Sequence, residues 1–548
     1  MKTKRTFNLI TICCLLSSMF LIQACVKDRL DLDKLKDEWN PTLAAPLVNA
    51  TLGVYDILAN TDSSEIVVID PVTGFIALVY QGELVSFDAK DLVALPDQFG
   101  QDDISLTSAE STTLTSTGSV SKTQNTIHLY LPAPLIQIDS LRLKSGSISL
   151  NISNTLNHTG SLLIRIPGMV KNGIPFEVNV PINGTFSNNT QTINLQGYSI
   201  KMATGPGNYN EIPIEYILNL NYNSGQSTSG SISVERSFTS WEFNRMYGYV
   251  GQQIVSLAQD SIQLKIFNNA TDGYFELTNP SVKFTVTNSF GFPIDINMDV
   301  LKSKNIATGV ETDITLSNFP NPFAINHPSV SQIGSAEITN LKLDKSNSNL
   351  NILVNPTPKF FIFGITAHSN PNGDPPQTAR NFMTDESKFV IGTEVELPLE
   401  GFAYGFSIID TLDFTFSDNQ EEIESLLIRI NIENGFPVDL RMQLVFLDKD
   451  FQAVDSLLNL QENLIQSGIV GPAGKVTTSS KVITDVSYDQ ARVQNLFKAK
   501  YVIVRGTSNT FQASSSNSSN TISKIYDDYQ LKVRVGLKAS IRPGGLLN

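Results

Sequence analysis

Residues 425–442 read SLLIRINIENGFPVDLRM, and two similar stretches occur earlier in the chain. They are SLLIRIPGMVKNGIPFEVNV at 161–180 and SVKFTVTNSFGFPIDINM at 281–298. Each copy contains an alternating apolar run, a glycine, an aliphatic or aromatic residue, a proline and a second alternating run. Alternation with a period of two is typical of half-buried antiparallel strands. The threefold recurrence therefore predicts three tandem copies of one β unit.

We interpret each copy as a β-hairpin. The pair Asn434-Gly435 would supply a turn with positive φ at low steric cost. Pro437 would mark a strand edge or a strand start, because proline cannot donate a hydrogen bond to a ladder. The second copy has Phe290 where the others have asparagine. The first copy admits another register, in which residues 149–154 form the first strand of the hairpin.

The N-terminus has the composition of an export signal. Basic residues at positions 2, 4 and 5 precede an apolar run at 7–22, which is too short for a spanning helix and ends in LIQAC at 21–25. This ending resembles a bacterial lipobox, which implies that Cys25 is lipidated and becomes the first residue. The alternative is an ordinary secretory signal with an incidental cysteine. Because Cys13, Cys14 and Cys25 are the only cysteines, the later domains can have no disulfide framework and no cysteine-bound metal.

The segment after Cys25 resembles the openings of Bacteroidota cell-envelope lipoproteins. Its similar features are Lys27-Asp28, a partial version of a surface-export signal, and WNPTLAAPLVNATLGVYDIL at 39–58. The repeated motif with its proline resembles the Ig-like sandwich domains of the WHy type. These resemblances imply an outer-membrane lipoprotein that faces the periplasm or the cell surface and is held to the lipid bilayer by an N-terminal acyl anchor.

The expected fold is all-β, with tandem antiparallel Ig-like β-sandwiches, a small N-terminal β module and few short helices. The repeat starts are domain-sized distances apart, which indicates tandem domains and not a solenoid. The clearest helix is predicted at 488–499, with Asp485 or Ser487 as its cap, and a weaker one at 455–466, whereas the polar stretch around 111–118 is expected to be a loop or an edge strand. The expected divisions are a signal peptide at 1–24, a lipidated tether at 25–45, the N-terminal module at 46–135 and three sandwiches at 136–250, 251–405 and 406–548.

One aromatic cluster is a candidate ligand surface. Trp241, Phe243, Tyr247 and Tyr249 lie in the densest aromatic stretch, between the first and second repeats. Glycan binding requires exposed aromatic platforms, whereas packing at a domain junction would bury the same residues. Packing is the favoured interpretation, and a ligand surface is the alternative.

Four Asp-Ser/Thr-apolar triplets are candidate modification sites. They resemble the O-glycosylation pattern of Bacteroidota envelope proteins, which implies that the acceptors are Ser140, Ser261, Thr411 and Ser456. The first three triplets also begin the three repeats, and a structural role at strand entry explains them equally well.

The sequence contains few other signs of chemistry. The four histidines, at positions 128, 158, 327 and 368, do not have metal-ligand spacing, and no phosphate loop or hydrolase motif occurs. Asn370, Asn372 and Asp374 could offer oxygen ligands to Ca²⁺, although a rigid surface turn is favoured. A net charge of −14 opposes nucleic acid as a partner. We therefore expect no metal and no cofactor.

The sequence favours a non-catalytic outer-membrane lipoprotein that binds or scaffolds envelope proteins or glycans. The first alternative is a glycan-binding surface lipoprotein of a nutrient-uptake system, which requires exposed Trp or Tyr. The second alternative is a hydrolase with an unrecognised site, which requires converging carboxylates or a histidine-centred cluster.

Overall fold

The computed structural model describes residues 42–58, 67–130, 136–256, 259–264, 272–305, 308–351, 360–376, 380–414, 423–514 and 521–541. Before the first repeat, the elements are β1 (Thr42–Gly53), α1 (Val54–Leu58), β2 (Val67–Ile69), β3 (Ile76–Asp88), α2 (Ala89–Leu92), β4 (Gln98–Ser105), α3 (Ser108–Thr117) and β5 (Ser119–Leu129). The first repeat contains β6 (Gln137–Asn154), β7 (Thr159–Lys171), β8 (Ile174–Asn183), β9 (Phe186–Asn194), β10 (Ser199–Lys201), β11 (Glu211–Asn221) and β12 (Ser231–Tyr249).

The later elements follow the same alternation of strands and turns. The second repeat contains β13 (Ile254–Ser256), β14 (Asp260–Gln263), β15 (Asp272–Leu277), β16 (Ser281–Asn288), β17 (Ile294–Lys304), β18 (Glu311–Asp313), β19 (Phe323–Ile325), a 3₁₀ turn (Val330–Gln332), β20 (Glu337–Leu343), β21 (Phe360–Ser369), β22 (Asn381–Thr384) and β23 (Lys388–Pro398). The third contains β24 (Glu400–Asp413), β25 (Ile423–Asn434), β26 (Val438–Leu447), β27 (Ala453–Leu457), β28 (Asn463–Ile465), β29 (Ile469–Val470), β30 (Val476–Thr478), β31 (Ser480–Tyr488), α4 (Gln490–Lys498), β32 (Tyr501–Thr510), β33 (Ser523–Lys524) and β34 (Gln530–Ile541).

The all-β prediction is confirmed, and every strand pair between these elements is antiparallel. The first-repeat sheet has the order β22-β12-β6-β10-β7-β11-β5, and in addition β4 pairs with β12, β8 with β7 and β9 with β6. The second repeat is built from a sheet β2-β3-β23-β16-β20 and a sheet β13-β21-β17-β18. The third is built from a sheet β1-β34-β25-β31 and a sheet β15-β24-β32-β26-β27. The buried apolar residues of these strands form the cores.

The helices predicted from the sequence agree with the structure only in part. Helix α4 buries Val493, Leu496 and Phe497 as predicted, but its cap is Asp489, whose carboxylate accepts the backbone N–H of Arg492 at 2.9 Å. The segment predicted as a weaker helix at 455–466 instead contributes to β27 and β28.

The polar stretch expected to be a loop or an edge strand forms helix α3. Thr107 caps α3 by accepting the backbone N–H of Glu110, whose carboxylate accepts the backbone N–H of Thr107 in return. The missed signal was this T-x-x-E capping box.

The segment expected to be an N-terminal module does not form a sheet of its own. Strand β1 pairs with β34, the last described strand, from Thr42 opposite Ser540 to Gly53 opposite Gln530. Strands β2 and β3 extend a sheet of the second repeat, while β4 and β5 belong to the first-repeat sheet. The structure therefore corrects that expectation, because alternation within a strand does not specify which distant strand will pair with it.

Two of the three repeated stretches are arches between strands that do not pair with each other. Strands β16 and β17 lie in the two different sheets of the second repeat, and β25 and β26 lie in the two sheets of the third. Only 161–180 contains a true hairpin, β7-β8, whose turn residues Asn172 and Gly173 have φ values of 51° and 81°. The hairpin interpretation is thus wrong for the second and third copies.

A buried asparagine is common to the three arches. In the second arch, Asn288 accepts the N–H of Phe290 at 2.9 Å and donates to the Asn326 carbonyl at 3.0 Å. In the third, Asn434 accepts the N–H of Phe436 at 2.8 Å. The equivalent residue of the first repeat is Asn154, the last residue of β6, which accepts the N–H of Leu156 at 2.9 Å. The alternative register at 149–154 is therefore the one that aligns the first repeat with the others.

The arch glycine of the second repeat allows close packing. Gly291 does not have positive φ, but a Cβ built on it would lie 2.1 Å from the Phe382 ring. Its backbone N–H also donates to the Phe382 carbonyl at 2.9 Å. Gly291 thus lets β22 pack on the arch while β22 extends the first-repeat sheet through β12.

Candidate functional site

The aromatic cluster is mostly buried in a bend of β12. The indole of Trp241 is 5% exposed and packs on Phe238 and Tyr130, at ring-centroid distances of 4.8 and 5.3 Å. The pairing register of β12 slips between Thr239 and Phe243, as expected where bulges bend a strand pair.

This burial corrects the alternative of an aromatic ligand surface. Trp241, Phe243 and Tyr249 are all buried, and only Tyr247 is partly accessible. A sugar cannot stack on rings that are packed inside the core. Packing in the core therefore accounts for Trp241, Phe243 and Tyr249.

A polar cluster lies beside the aromatic residues. The Asp102 carboxylate accepts the Tyr216 hydroxyl at 2.7 Å and the Thr126 hydroxyl at 3.1 Å, and it pairs with the Arg236 guanidinium. The His128 ring stacks on Phe238, and burial, followed by the Arg236 charge, lowers the pKa of His128. These residues join β4, β5, β11 and β12 across the core, so the cluster has a structural role.

A second buried arginine joins the first two repeats. The Nε of Arg380 donates to Asp139 Oδ2 at 2.9 Å, and its Nη2 donates to Asp139 Oδ1 at 3.2 Å and to Gln137 Oε1 at 2.9 Å. The guanidinium carbon lies 4.5 Å from the centroid of the Tyr209 ring. Arg380 immediately precedes β22, whereas Asp139 belongs to β6. The acid that begins the first repeat is therefore part of an ion pair between the first and second repeats.

The loop considered for Ca²⁺ is engaged in the same junction. The Asp374 carboxylate pairs with Arg380, and the buried Asn370 amide donates to the Gly251 carbonyl at 3.0 Å. Within the described ranges, no group of three or more His, Cys, Asp or Glu residues could hold a metal ion. The Asp374 carboxylate and the Asn370 amide thus bind other residues of the protein, as expected of a rigid turn.

The candidate glycosylation acceptors differ in accessibility. Ser261, Thr411 and Ser456 are exposed, and each backbone N–H donates to the preceding aspartate, at 2.7, 2.7 and 2.6 Å respectively. Ser140 is half-buried in β6, between Lys201 and Tyr247 on the neighbouring strands. The lipidation candidate, Cys25, lies outside the described residues.

The four histidines occupy different elements. His128 lies on β5, His158 between β6 and β7, His327 after β19, and His368 on β21. His158 is fully buried, and its Nδ1 accepts the backbone N–H of Asn223 at 3.3 Å. Burial lowers the pKa of His158.

A groove on the outer face of the first-repeat sheet brings basic residues together. Register places Arg142 opposite Arg245 on one side and Ser199 on the other, and it places Ser140 between Tyr247 and Lys201. Residues directly opposite on paired strands project from the same face of a sheet. These six residues, which we call the basic groove, line an open cavity of about 380 Å³.

The cations of the basic groove are not paired with acids among the described residues. Across the described part of the chain, neither Arg142, Lys201 nor Arg245 forms an ion pair. A neighbouring acid, Asp385, is already paired with Lys144 at 2.6 Å. The basic groove is therefore a local positive patch on an acidic protein.

Another groove of about 310 Å³, beside β17, has a different character. There Lys302 pairs with Glu311 at 3.3 Å, and Asp299 accepts the Thr366 hydroxyl at 2.5 Å. Its charged groups have partners on the protein. The basic groove is thus the better candidate for a charged ligand.

Sequence reasoning missed the basic groove. Arg142, Lys201 and Arg245 are far apart in the chain and carry no motif. The only signal was that Arg142 and Lys201 fall on the polar side of alternating strands, and pairing with β12 could not be predicted from that alternation.

Comparisons with known proteins give no family. No family model and no curated protein matches the chain. The solved structures that it resembles include "a putative secreted protein from Parabacteroides distasonis", with 16% identity, a TM-score of 0.28 and coverage of 54% of this chain and 89% of the other. They also include an infectious bursal disease virus structure (Gx strain), with 8% identity, a TM-score of 0.15 and coverage of 78% and 80%. Likeness at this level carries no argument about function. Among the described helices, none is long and apolar enough to cross a membrane.

Proposed function

We propose that the protein is a non-catalytic outer-membrane lipoprotein that binds or scaffolds components of the cell envelope, facing the periplasm or the cell surface. The observation that carries the proposal is the LIQAC sequence at 21–25, followed by a short charged tether and then by strand β1 at Thr42. The lipid on Cys25 would supply membrane attachment, because several acyl chains on one residue give stable anchoring.

The arrangement of the strands supports the scaffold role. Strand β1, which directly follows the tether, is paired along its length with β34 in a sheet of the third repeat. Buried arginines that could otherwise contribute to chemistry hold strands and repeats together, as Arg236 and Arg380 do. The anchor would thus be attached to a rigid body that presents its outer sheet faces.

Lipidation is tested by labelling with palmitate in cells and by fractionating their membranes. The wild-type chain should incorporate label and partition with the outer membrane, whereas Cys25→Ala should lose both properties. Cys13→Ala and Cys14→Ala are matched controls within the signal, and both should behave as wild type. If Cys25→Ala still incorporates palmitate and stays with membranes, the proposal is wrong.

A further inference from the structure

We propose that the basic groove binds the phosphomonoester group of a small ligand, such as a sugar phosphate or a lipid headgroup. The inference rests on the binding role proposed above and adds to it a site and a ligand class. Nothing in the repeated motif assigns this site, because it is formed by β6, β10 and β12 only after they pair.

The two arginines of the basic groove are placed where their charges repel each other. Arg142 and Arg245 are direct cross-strand neighbours, so their Cβ atoms are about 5 Å apart, as in any such pair. Like charges in this position destabilise a sheet. A bound anion would relieve the repulsion, and within the described residues no carboxylate forms an ion pair with either guanidinium.

The acids near the basic groove are already bound to other residues. Asp139 lies in β6 next to the groove residue Ser140, yet its carboxylate is turned to Arg380. Asp385 follows β22 and is held by Lys144 and by the Asn244 amide, at 2.6 and 3.3 Å. The fold thus directs these acids away from the groove and leaves its positive charge available.

The donors and the dimensions indicate the ligand class. Two guanidinium groups and an ammonium group suit a dianionic oxyanion, because Arg binds phosphate oxygens through paired N–H groups. Ser140, Ser199 and Tyr247 add hydroxyl groups on the same face. A cavity of about 380 Å³ lies near the small end of ligand sites, which suits one phosphate with one attached ring. The half-buried Tyr247 ring offers a surface for that ring.

Calorimetric titration of the full chain in a non-ionic detergent tests the site with soluble probes. Glucose 6-phosphate should bind to the wild-type chain, and glucose should not. The double variant R142Q/R245Q should lose at least about tenfold in affinity, since it lacks two charge-assisted contacts. R165Q is the matched control, because Arg165 is on the same sheet but is already paired with Glu177 and Glu215.

A vesicle-binding experiment distinguishes the two sources of the phosphomonoester. The full-length Cys25→Ala chain is added to phosphatidylcholine vesicles with or without phosphatidic acid, so that insertion of an acyl anchor does not contribute. Arginine-dependent binding to glucose 6-phosphate indicates a soluble ligand, and arginine-dependent binding only to phosphatidic acid vesicles indicates a lipid headgroup. Either result supports the site.

The proposal is overturned if neither phosphate probe binds, if glucose binds equally well, or if R142Q/R245Q retains wild-type affinity while its circular dichroism and thermal midpoint remain unchanged. These results are independent of palmitate labelling. If the groove does not bind phosphate, the lipid-anchor proposal is therefore unaffected. If Cys25 is not lipidated, the titration still tests the groove.

Discussion

Three buried asparagines perform the same task at the residue scale. Asn154, Asn288 and Asn434 each end a strand, and each side-chain oxygen accepts the N–H of the residue two positions later. Their amide groups donate to loop carbonyls, which in the third arch belong to Phe436, Val438 and Gln466. Because a buried polar backbone group needs a partner, these asparagines satisfy the backbone where the chain passes to a strand that does not pair with the one before it. In the second and third repeats, that next strand lies in the other sheet.

Substitution of one of them should be costly. Asn288→Ala removes the acceptor of the Phe290 N–H and the donor to the Asn326 carbonyl, and we expect a loss of about 1–3 kcal/mol in the free energy of unfolding. Asn219→Ala is the control, since Asn219 is exposed on β11, and its effect should stay within about 0.5 kcal/mol. Urea denaturation measures both variants. Equal losses of stability in the two variants would contradict the stabilising role of Asn288 in the arch.

His128 should make stability depend on pH. Its folded-state pKa is lowered, chiefly by burial, so between the usual value of 6.5 and that lower value the unfolded chain binds more protons than the folded chain. The stability associated with neutral His128 is therefore complete above pH 6.5 and is lost as the pH falls through the folded-state pKa. His128→Phe retains a ring to stack on Phe238 and removes this loss.

The measurement is the urea midpoint of both chains from pH 8 to pH 5. As the pH falls below about 6.5, the urea midpoint of the variant should exceed that of the wild type by an increasing amount. Both chains have the same carboxylates, so the contribution of these groups to the pH dependence of stability cancels in this comparison. Parallel pH profiles would show that His128 does not titrate differently in the folded state.

At the scale of elements, the sequence predicts strands better than it predicts their partners. Alternation in residues 281–298 marks both β16 and β17, and nothing local states that they lie in different sheets. The hairpin interpretation failed because a turn and an arch share polar and glycine residues. Helix α3 could have been found from Thr107 and Glu110, whereas the basic groove depends on a register between β6 and β12 that no local pattern contains.

Strand β22 is the element that joins the first two repeats. It pairs with β12 from Arg245 opposite Thr384 to Gly248 opposite Asn381, and Arg380 precedes it. Arg380→Gln would leave Asp139, whose side chain is 19% exposed, without its counter-charge. We expect a loss of about 3 kcal/mol in the free energy of unfolding, as for other largely buried pairs, and faster amide exchange at 381–384.

Arg429→Gln is the matched control for this prediction. Arg429 also pairs with an aspartate, Asp485, at 2.6 Å, but its side chain is 61% exposed. Exposed pairs contribute less than about 1 kcal/mol. If Arg380→Gln were as mild as Arg429→Gln and left amide exchange at β22 unchanged, the role of Arg380 in joining the first two repeats would be wrong.

On the scale of the whole molecule, the three repeats form two main cores. One continuous core includes Trp241 of the first repeat and Phe284 of the second, whereas the third repeat has a separate core around Val493. A third, small cluster contains Val54, Ile76 and Tyr529. The sequence motif occurs three times, but it does not give the number of cooperative units, because that number depends on how far buried contacts continue across boundaries.

We therefore predict two separable unfolding transitions. Trp241 fluorescence, measured in a Trp39→Phe background, reports the core shared by the first two repeats, and far-ultraviolet circular dichroism reports all strands. Asn288→Ala and Arg380→Gln should lower the urea midpoint of the fluorescence transition. Asn434→Ala should instead lower the midpoint of a second transition seen by circular dichroism, because its contacts stabilise the arch of the third repeat. If every variant shifted both transitions equally, the molecule would unfold as one unit, and the separation of the cores would have no energetic meaning.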